Sequence, residues 1–61
     1  MQNITVGAEV TYDKGRATNL RGVITYISDV NPLTPHLGRW LQIRPAAGGD
    51  QHEVPEARIQ G

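Results

Sequence analysis

Histidine, serine and carboxylate side chains are the groups of this 61-residue chain that could perform acid–base or nucleophilic chemistry. The histidines are His36 and His52, and Ser28 is the only serine. Nucleophilic catalysis requires a serine, a histidine and a carboxylate held together, and the spacing of these residues from Asp29 or Asp50 does not favour such a set. Metal ligands at short, regular spacing are also missing. The sequence therefore predicts no enzyme, no catalytic residue, no metal site and no cofactor.

Trp40 is the side chain best suited to binding another molecule. Leu41 and Ile43 alternate with polar residues, so Trp40 and Arg44 are predicted to lie on the face opposite to the core. An exposed indole beside Arg39 and Arg44 suits stacking on nucleic-acid bases with phosphate contacts. It equally suits a hot spot for a protein partner. The alternative is that Trp40 belongs to the core or covers one end of it.

Basic residues are concentrated in the centre of the chain. The six basic residues equal the six acidic ones, and this neutrality disfavours a nucleic-acid-binding domain, which usually has a basic excess. Between positions 14 and 44, however, Asp29 is the only acidic residue. The basic residues of this segment are the candidate partner-binding residues Lys14, Arg16, Arg21, Arg39 and Arg44. The segregation is compatible with one basic and one acidic surface, but the favoured interpretation, by a narrow margin, is that neighbouring strands of a barrel cancel it.

Five short strands are predicted to position these side chains. The strands are residues 9–13, 22–30, 39–44, 51–54 and 58–60. They are chosen for alternating apolar and polar side chains or for β-branched and aromatic residues. A turn-rich segment at residues 14–21 follows the first strand. The second strand alternates imperfectly, which predicts either cover on both faces or a β-bulge.

These elements predict an all-β fold. No segment sustains the apolar period of an α-helix over about ten residues, and a 3-10 turn is predicted at residues 55–57. Closing the strands into a barrel would hide sheet edges that so small a protein otherwise exposes. We therefore predict one domain, residues 1–61, folded as a five-stranded SH3-like barrel with a short 3-10 turn before the last strand. Tyr12 and Tyr26 are predicted to face the core, the alternative being a cage with Trp40 for a cationic side chain.

The segment 31–38 is predicted to be a loop, because Pro32 and Pro35 prevent a regular ladder. Its apolar residues Leu33 and Leu37 stand where an ordinary surface loop would be polar. The favoured interpretation is that they fold back over an open end of the barrel. The alternative is an apolar patch for a partner protein or for a second copy of the chain.

Glycines and apolar residues follow a recognisable spacing in the first third of the chain. The positions that carry it are Gly7, Val10, Tyr12, Gly15, Asn19, Gly22 and Ile24. This spacing resembles the KOW motif, the β-loop-β signature of SH3-like modules in some ribosomal proteins and transcription elongation factors. Asn19 fills one glycine position, and the lysines usual between the glycines are mostly replaced. The resemblance implies an SH3-like barrel that binds RNA or DNA through the basic residues named above, with Trp40 as the stacking platform.

A second resemblance concerns the plasmid-encoded type II dihydrofolate reductases, which are small SH3-like barrels. Their Val-Gln-Ile-Tyr run is similar to Leu41-Gln-Ile-Arg44, although Arg44 replaces the tyrosine. This resemblance implies an oligomer around a central pore and is the remote alternative. The expected function is a nucleic-acid-binding module, and the main alternative is a protein-interaction or adaptor module, monomeric or a small homo-oligomer.

The start of the chain predicts no targeting segment. Residues 1–5 have neither the basic segment nor the apolar run of a signal peptide, and no apolar stretch is long enough to cross a bilayer. Cysteine is absent, which fits a reducing compartment. The sequence therefore predicts a cytoplasmic protein without a membrane partner.

Overall fold

The computed structural model describes residues 4–60 and shows one antiparallel sheet of five strands. The strands are β1 (Glu9–Lys14), β2 (Ala17–Val30), β3 (Arg39–Pro45), β4 (His52–Pro55) and β5 (Ile59–Gln60), in the spatial order β4-β3-β2-β1-β5. Two 3-10 turns cover Pro35–Leu37 and Glu56–Arg58. No helix in residues 4–60 is long and apolar enough to cross a membrane. Residues 1–3, on which the predicted absence of a leader partly rests, and residue 61 lie outside the described residues.

The all-β class, the five strands and the 3-10 turn before the last strand are confirmed. The largest difference from the predicted boundaries is the start of β2 at Ala17, inside the predicted turn 14–21, whereas the other boundaries differ by at most one residue. Only Gly15 and Arg16 form the turn. Asn19 stays in the strand with a φ of 56°, and its backbone N–H donates to Oδ1 of Asp13 at 3.1 Å. The predicted loop 31–38 contains the additional 3-10 turn at Pro35–Leu37.

One face of the sheet forms the core. Its buried hydrophobic residues are Val10, Tyr12, Ile24, Leu41, Ile43 and Val54. They recur at alternate positions of β1 and β3, as the sequence pattern predicts. Full burial of one such side chain contributes about 1.5–3 kcal/mol, which is a large fraction of the net stability of a small domain.

Of the two interpretations of the imperfect alternation of β2, cover on both faces or a β-bulge, the structure has the bulge. The register with β3 shifts between Ile24 and Tyr26, and again between Ser28 and Val30. Ile24 pairs with Ile43 on the core side, whereas Tyr26 pairs with Gln42 on the opposite side. The prediction that Tyr26 faces the core is therefore wrong, because the extra residue rotates it outward.

The sheet curls so that strands distant in its order meet. The hydroxyl of Tyr12 in β1 lies 2.8 Å from Nδ1 of His52 in β4, and their rings are edge-on at 5.8 Å. Within residues 4–60, β4 and β5 form no ladder with each other, so the sheet is not closed there. The complete barrel stays a prediction.

Candidate functional site

The face of the sheet opposite to the core carries the candidate site, and we call it the outer face. Cross-strand pairing defines its members, because residues that pair directly share one side of the sheet. They are Arg21, Val23, Tyr26 and Ser28 of β2, Trp40, Gln42 and Arg44 of β3, Glu53 and Pro55 of β4, Glu9 and Thr11 of β1, and Gln60 of β5. Diagonal neighbours across two strands stand about 7–8 Å apart, which long and aromatic side chains can bridge. The outer face thus brings aromatic, amide and charged groups together.

Tyr26 is the most exposed aromatic group of this face. Its side chain is 56% exposed, and the bulge residue Thr25 places it there. The hydroxyl of Thr25 donates to the backbone oxygen of Gln42 at 3.2 Å and also contacts Oε1 of Gln51. These contacts fix the bulge. Tyr26 was not predicted to be a surface residue, and the imperfect alternation of its strand was the signal that could have found it.

Trp40 lies on the predicted face but is only partly exposed. It pairs with Ser28 on one side and with Pro55 on the other. Its Nε1 atom is buried and has no hydrogen-bond partner within residues 4–60. The indole is therefore neither a core residue nor a free platform, and its N–H group does not reach the surface.

Two of the five candidate basic residues are held by carboxylates. Arg39 contacts Glu56 through its backbone N–H at 2.7 Å, through Nε at 2.8 Å and through Nη2 at 3.3 Å. These contacts lower the pKa of the Glu56 carboxyl. Arg21 contacts Glu9 at 3.2 Å, and both of these side chains are more than 60% exposed. Arg39 is thus tied to the fold, whereas the exposed Arg21 pair is weak.

The other candidate basic residues have no ion-pair partner within residues 4–60. Lys14 and Arg16 are exposed on either side of Gly15, at the turn between β1 and β2. Arg44 is exposed on the outer face, opposite Val23. Glu53 is also exposed on this face, opposite Gln42. The charge of the outer face is therefore mixed, and Arg44 is two residues from Gln42, the cross-strand partner of Tyr26.

Of the two apolar residues considered in the loop 31–38, Leu33 does not fold back as the favoured interpretation expected. Leu33 is 87% exposed and Leu37 is half-buried. The backbone N–H of Leu33 donates to Oδ1 of Asn31 at 2.9 Å, and that of Thr34 donates to the carbonyl oxygen of Asn31 at 3.0 Å. This tight turn keeps Leu33 at the tip of the loop. Val30, at the end of β2, is also 44% exposed.

The residues considered for catalysis are not assembled in the structure. His52 contacts the Tyr12 hydroxyl through Nδ1, and burial raises the pKa of that hydroxyl. His36 is exposed in the first 3-10 turn, and Ser28 lies on the outer face beside Trp40. Residues 4–60 contain no group of three or more potential metal ligands and no cavity.

The KOW-like spacing corresponds to backbone requirements of the β1–β2 hairpin. Gly15 has a φ of 59°, and Asn19, at another glycine position of the motif, has a φ of 56°. Gly22 is buried where β2 approaches β3, and a Cβ atom there would lie 2.6 Å from the carbonyl oxygen of Arg44. Comparison of the chain with family models, curated proteins and solved structures gives no match. Membership of the KOW family therefore stays a prediction.

Proposed function

We propose that the chain is a non-enzymatic module of KOW type that binds RNA or DNA on its outer face. The observation that carries the proposal is the position of Arg44, an exposed residue without a carboxylate partner in residues 4–60 and on the same face as Tyr26 and Trp40. Binding of single strands combines phosphate contacts to basic residues with stacking of bases on aromatic rings. The lack of cysteine supports placing this module in the reducing cytoplasm.

Further basic groups lie along β2 and extend the surface that is proposed to contact phosphates. Lys14 and Arg16 lie at the turn that precedes the strand, and Arg21 lies between that turn and the level of Arg44. The exposed Arg21–Glu9 pair can exchange its carboxylate for a phosphate at little cost. Arg39, by contrast, supports the site by fixing the start of β3 through Glu56.

The proposal is tested by titrating Trp40 fluorescence with single-stranded RNA and DNA at low and at physiological salt. We expect saturable quenching that salt weakens. Arg44→Glu and Arg16→Glu should bind more weakly, and the slope of log affinity against log salt should become shallower by about 0.7 for each phosphate that the variant no longer neutralises. Arg58→Glu is the matched control, because Arg58 is exposed in the second 3-10 turn and outside the outer face.

The charge on Glu53 provides a variant that should bind more tightly. Glu53→Gln removes a carboxylate from the outer face, so repulsion of phosphate decreases and affinity at low salt should increase. Equal losses of affinity in Arg44→Glu and Arg58→Glu would mean that the nucleic acid does not bind on the outer face. Absence of binding to either polymer at low salt, checked by an independent method, would reject the proposal.

The exposed loop 31–38 favours protein interaction as a second candidate function. Leu33 and Val30 present apolar surface beside a hydrogen-bonded turn, and a preordered apolar side chain binds a partner with little loss of conformational freedom. Cross-linking should capture a partner protein or a second copy with the wild type, and Leu33→Ser should reduce capture. Val6→Ser is the control, since Val6 is 62% exposed at another position. Equal capture by all three proteins would reject this candidate.

A further inference from the structure

We infer that Tyr26 stacks on unpaired bases and makes the outer face selective for single-stranded over double-stranded nucleic acid. The inference rests on the proposed function and names the form of nucleic acid that the same site accepts. The first observation that supports it is the β-bulge in β2. In an unbulged strand, Tyr26 and Ile24 would share one face, and Ile24 is completely buried. The extra residue Thr25 instead places a phenol ring in solvent.

The bulge is held by specific contacts. Thr25 is hydrogen-bonded to the backbone of β3 at Gln42 and contacts Gln51, in the segment before β4. Bulges of this kind commonly redirect a side chain at functional sites. Burying a tyrosine in the core would stabilise so small a domain, so its fixed exposure at this position is better explained by binding than by folding.

The neighbours of Tyr26 supply the other groups that a nucleotide requires. Gln42 lies directly opposite, and its amide can donate to and accept from base edges. Trp40 and Arg44 are two residues before and after Gln42 on the same face of β3, so both are diagonal neighbours of Tyr26. A phosphate at Arg44 and a base on Tyr26 therefore fit one strand lying across β2 and β3.

Stacking on Tyr26 separates the two forms of nucleic acid. A single strand offers free base faces, whereas the base faces of a duplex are covered by neighbouring base pairs, and an aromatic ring reaches them only where the stack is opened. Phosphate contacts alone bind both forms and depend on salt. The preference for single-stranded over double-stranded nucleic acid therefore measures the contribution of Tyr26. The salt dependence of the affinity measures the contribution of the basic residues.

The experiment measures fluorescence anisotropy of a labelled oligonucleotide as a single strand and as its duplex, in RNA and in DNA. Wild type, Tyr26→Ser and Tyr26→Phe are compared at several salt concentrations, after thermal unfolding has shown that each variant is folded. We expect the wild type to prefer the single strand. Tyr26→Ser should lose single-strand affinity by about fivefold to a hundredfold with an unchanged salt slope, and Tyr26→Phe should retain it.

The outcomes separate the inference from the proposed function. Equal, salt-dependent binding of single strand and duplex by the wild type would overturn the role of Tyr26 and leave nucleic-acid binding in place. Wild-type affinity in folded Tyr26→Ser would overturn it as well. Absence of binding to every oligonucleotide would instead reject the proposed function. When RNA and DNA oligonucleotides of the same sequence are compared, the one that binds more tightly shows which polymer the outer face prefers.

Discussion

Tyr12 and Tyr26 lie on neighbouring strands, but their surroundings are opposite. Tyr12 is completely buried, and its hydroxyl contacts His52 across the curled sheet. Tyr26 is 56% exposed on the outer face, with Gln42 as its cross-strand neighbour. The alternation in β1 directs Tyr12 inward, whereas the bulge at Thr25 directs Tyr26 outward. One extra residue therefore decides whether a tyrosine contributes to folding or is available for binding.

The same contrast holds for the two faces as a whole. On the core face, apolar side chains contact one another and contribute to stability in proportion to the surface they bury. On the outer face, Tyr26, Arg44 and Glu53 are exposed, and substitutions at such positions usually change stability by less than about 0.5 kcal/mol. The core face therefore constrains the fold, and the outer face is free to carry a binding surface. Paired substitutions, one on each face, test this division.

The largest contrast is expected between Tyr12→Ala and Tyr26→Ala. Tyr12→Ala removes a buried ring and leaves a cavity, which costs about 3–5 kcal/mol for a large aromatic side chain. Tyr26→Ala removes an exposed ring and should cost less than about 1 kcal/mol, since the loss is mainly of strand propensity. Urea unfolding followed by Trp40 fluorescence measures both. Similar losses in the two variants would show that Tyr26 also supports the fold.

Tyr12→Phe serves where Tyr12→Ala is too unstable to study. It keeps the ring and removes the hydroxyl that contacts Nδ1 of His52. The expected cost is about 1–3 kcal/mol, because a polar atom of a half-buried ring loses its partner. Wild-type stability of Tyr12→Phe would mean that this hydrogen bond does not hold β1 and β4 together.

The sequence predicts the core face well because its signal is periodic. Val10 and Tyr12, like Leu41 and Ile43, are separated by one polar residue, and this spacing requires a strand with one buried face. Gly15 locates the hairpin turn, since few other residue types adopt a positive φ at low cost. The exact start of β2 was missed, because Asn19 can occupy either a turn or an irregular strand position.

The outer face is less predictable because it depends on contacts between distant segments. The imperfect alternation of β2 is compatible with cover on both faces or with a bulge and does not say which residue would be extra, and that choice decides where Tyr26 lies. Likewise, no local pattern links Arg39 to Glu56, which are 17 residues apart, although their contacts remove Arg39 from the free basic residues. The sequence therefore identified the candidate basic residues but not which of them are available.

The next contrast is expected between Gly22→Ala and Val23→Ala, neighbouring positions of β2 on opposite faces. A Cβ at Gly22 would lie 2.6 Å from both the carbonyl oxygen of Arg44 and Cγ2 of Ile43, so β3 must move. Overpacking of this kind costs about 1–3 kcal/mol. Val23→Ala loses strand propensity and a partly buried side chain, at a cost of about 1 kcal/mol or less. A smaller loss for Gly22→Ala in urea unfolding would show that β2 and β3 separate easily.

The smallest contrast is expected between the two arginine–carboxylate pairs. The pKa of Glu56 lies below its ordinary value of 4.5 because Arg39 donates hydrogen bonds to its carboxylate. A lowered folded-state pKa stabilises the protein above the ordinary pKa, and this stabilisation is lost as the pH falls from about 4.5 through the lowered pKa. Glu56→Gln should therefore be less stable than the wild type at neutral pH and should approach it in acid.

Glu9→Gln is the matched variant on the outer side of the sheet. In its pair with Arg21, the charged groups are 3.2 Å apart and the side chains are 68% and 61% exposed, whereas the Arg39 and Glu56 side chains are 41% and 28% exposed. Exposed pairs contribute little, because water and salt screen them and both side chains lose freedom. Urea unfolding should show a pH-dependent difference from the wild type in Glu56→Gln and, at neutral pH, a smaller loss of stability in Glu9→Gln than in Glu56→Gln. The reverse order would mean that the outer face, and not the base of the loop 31–38, uses its ion pair to hold the fold.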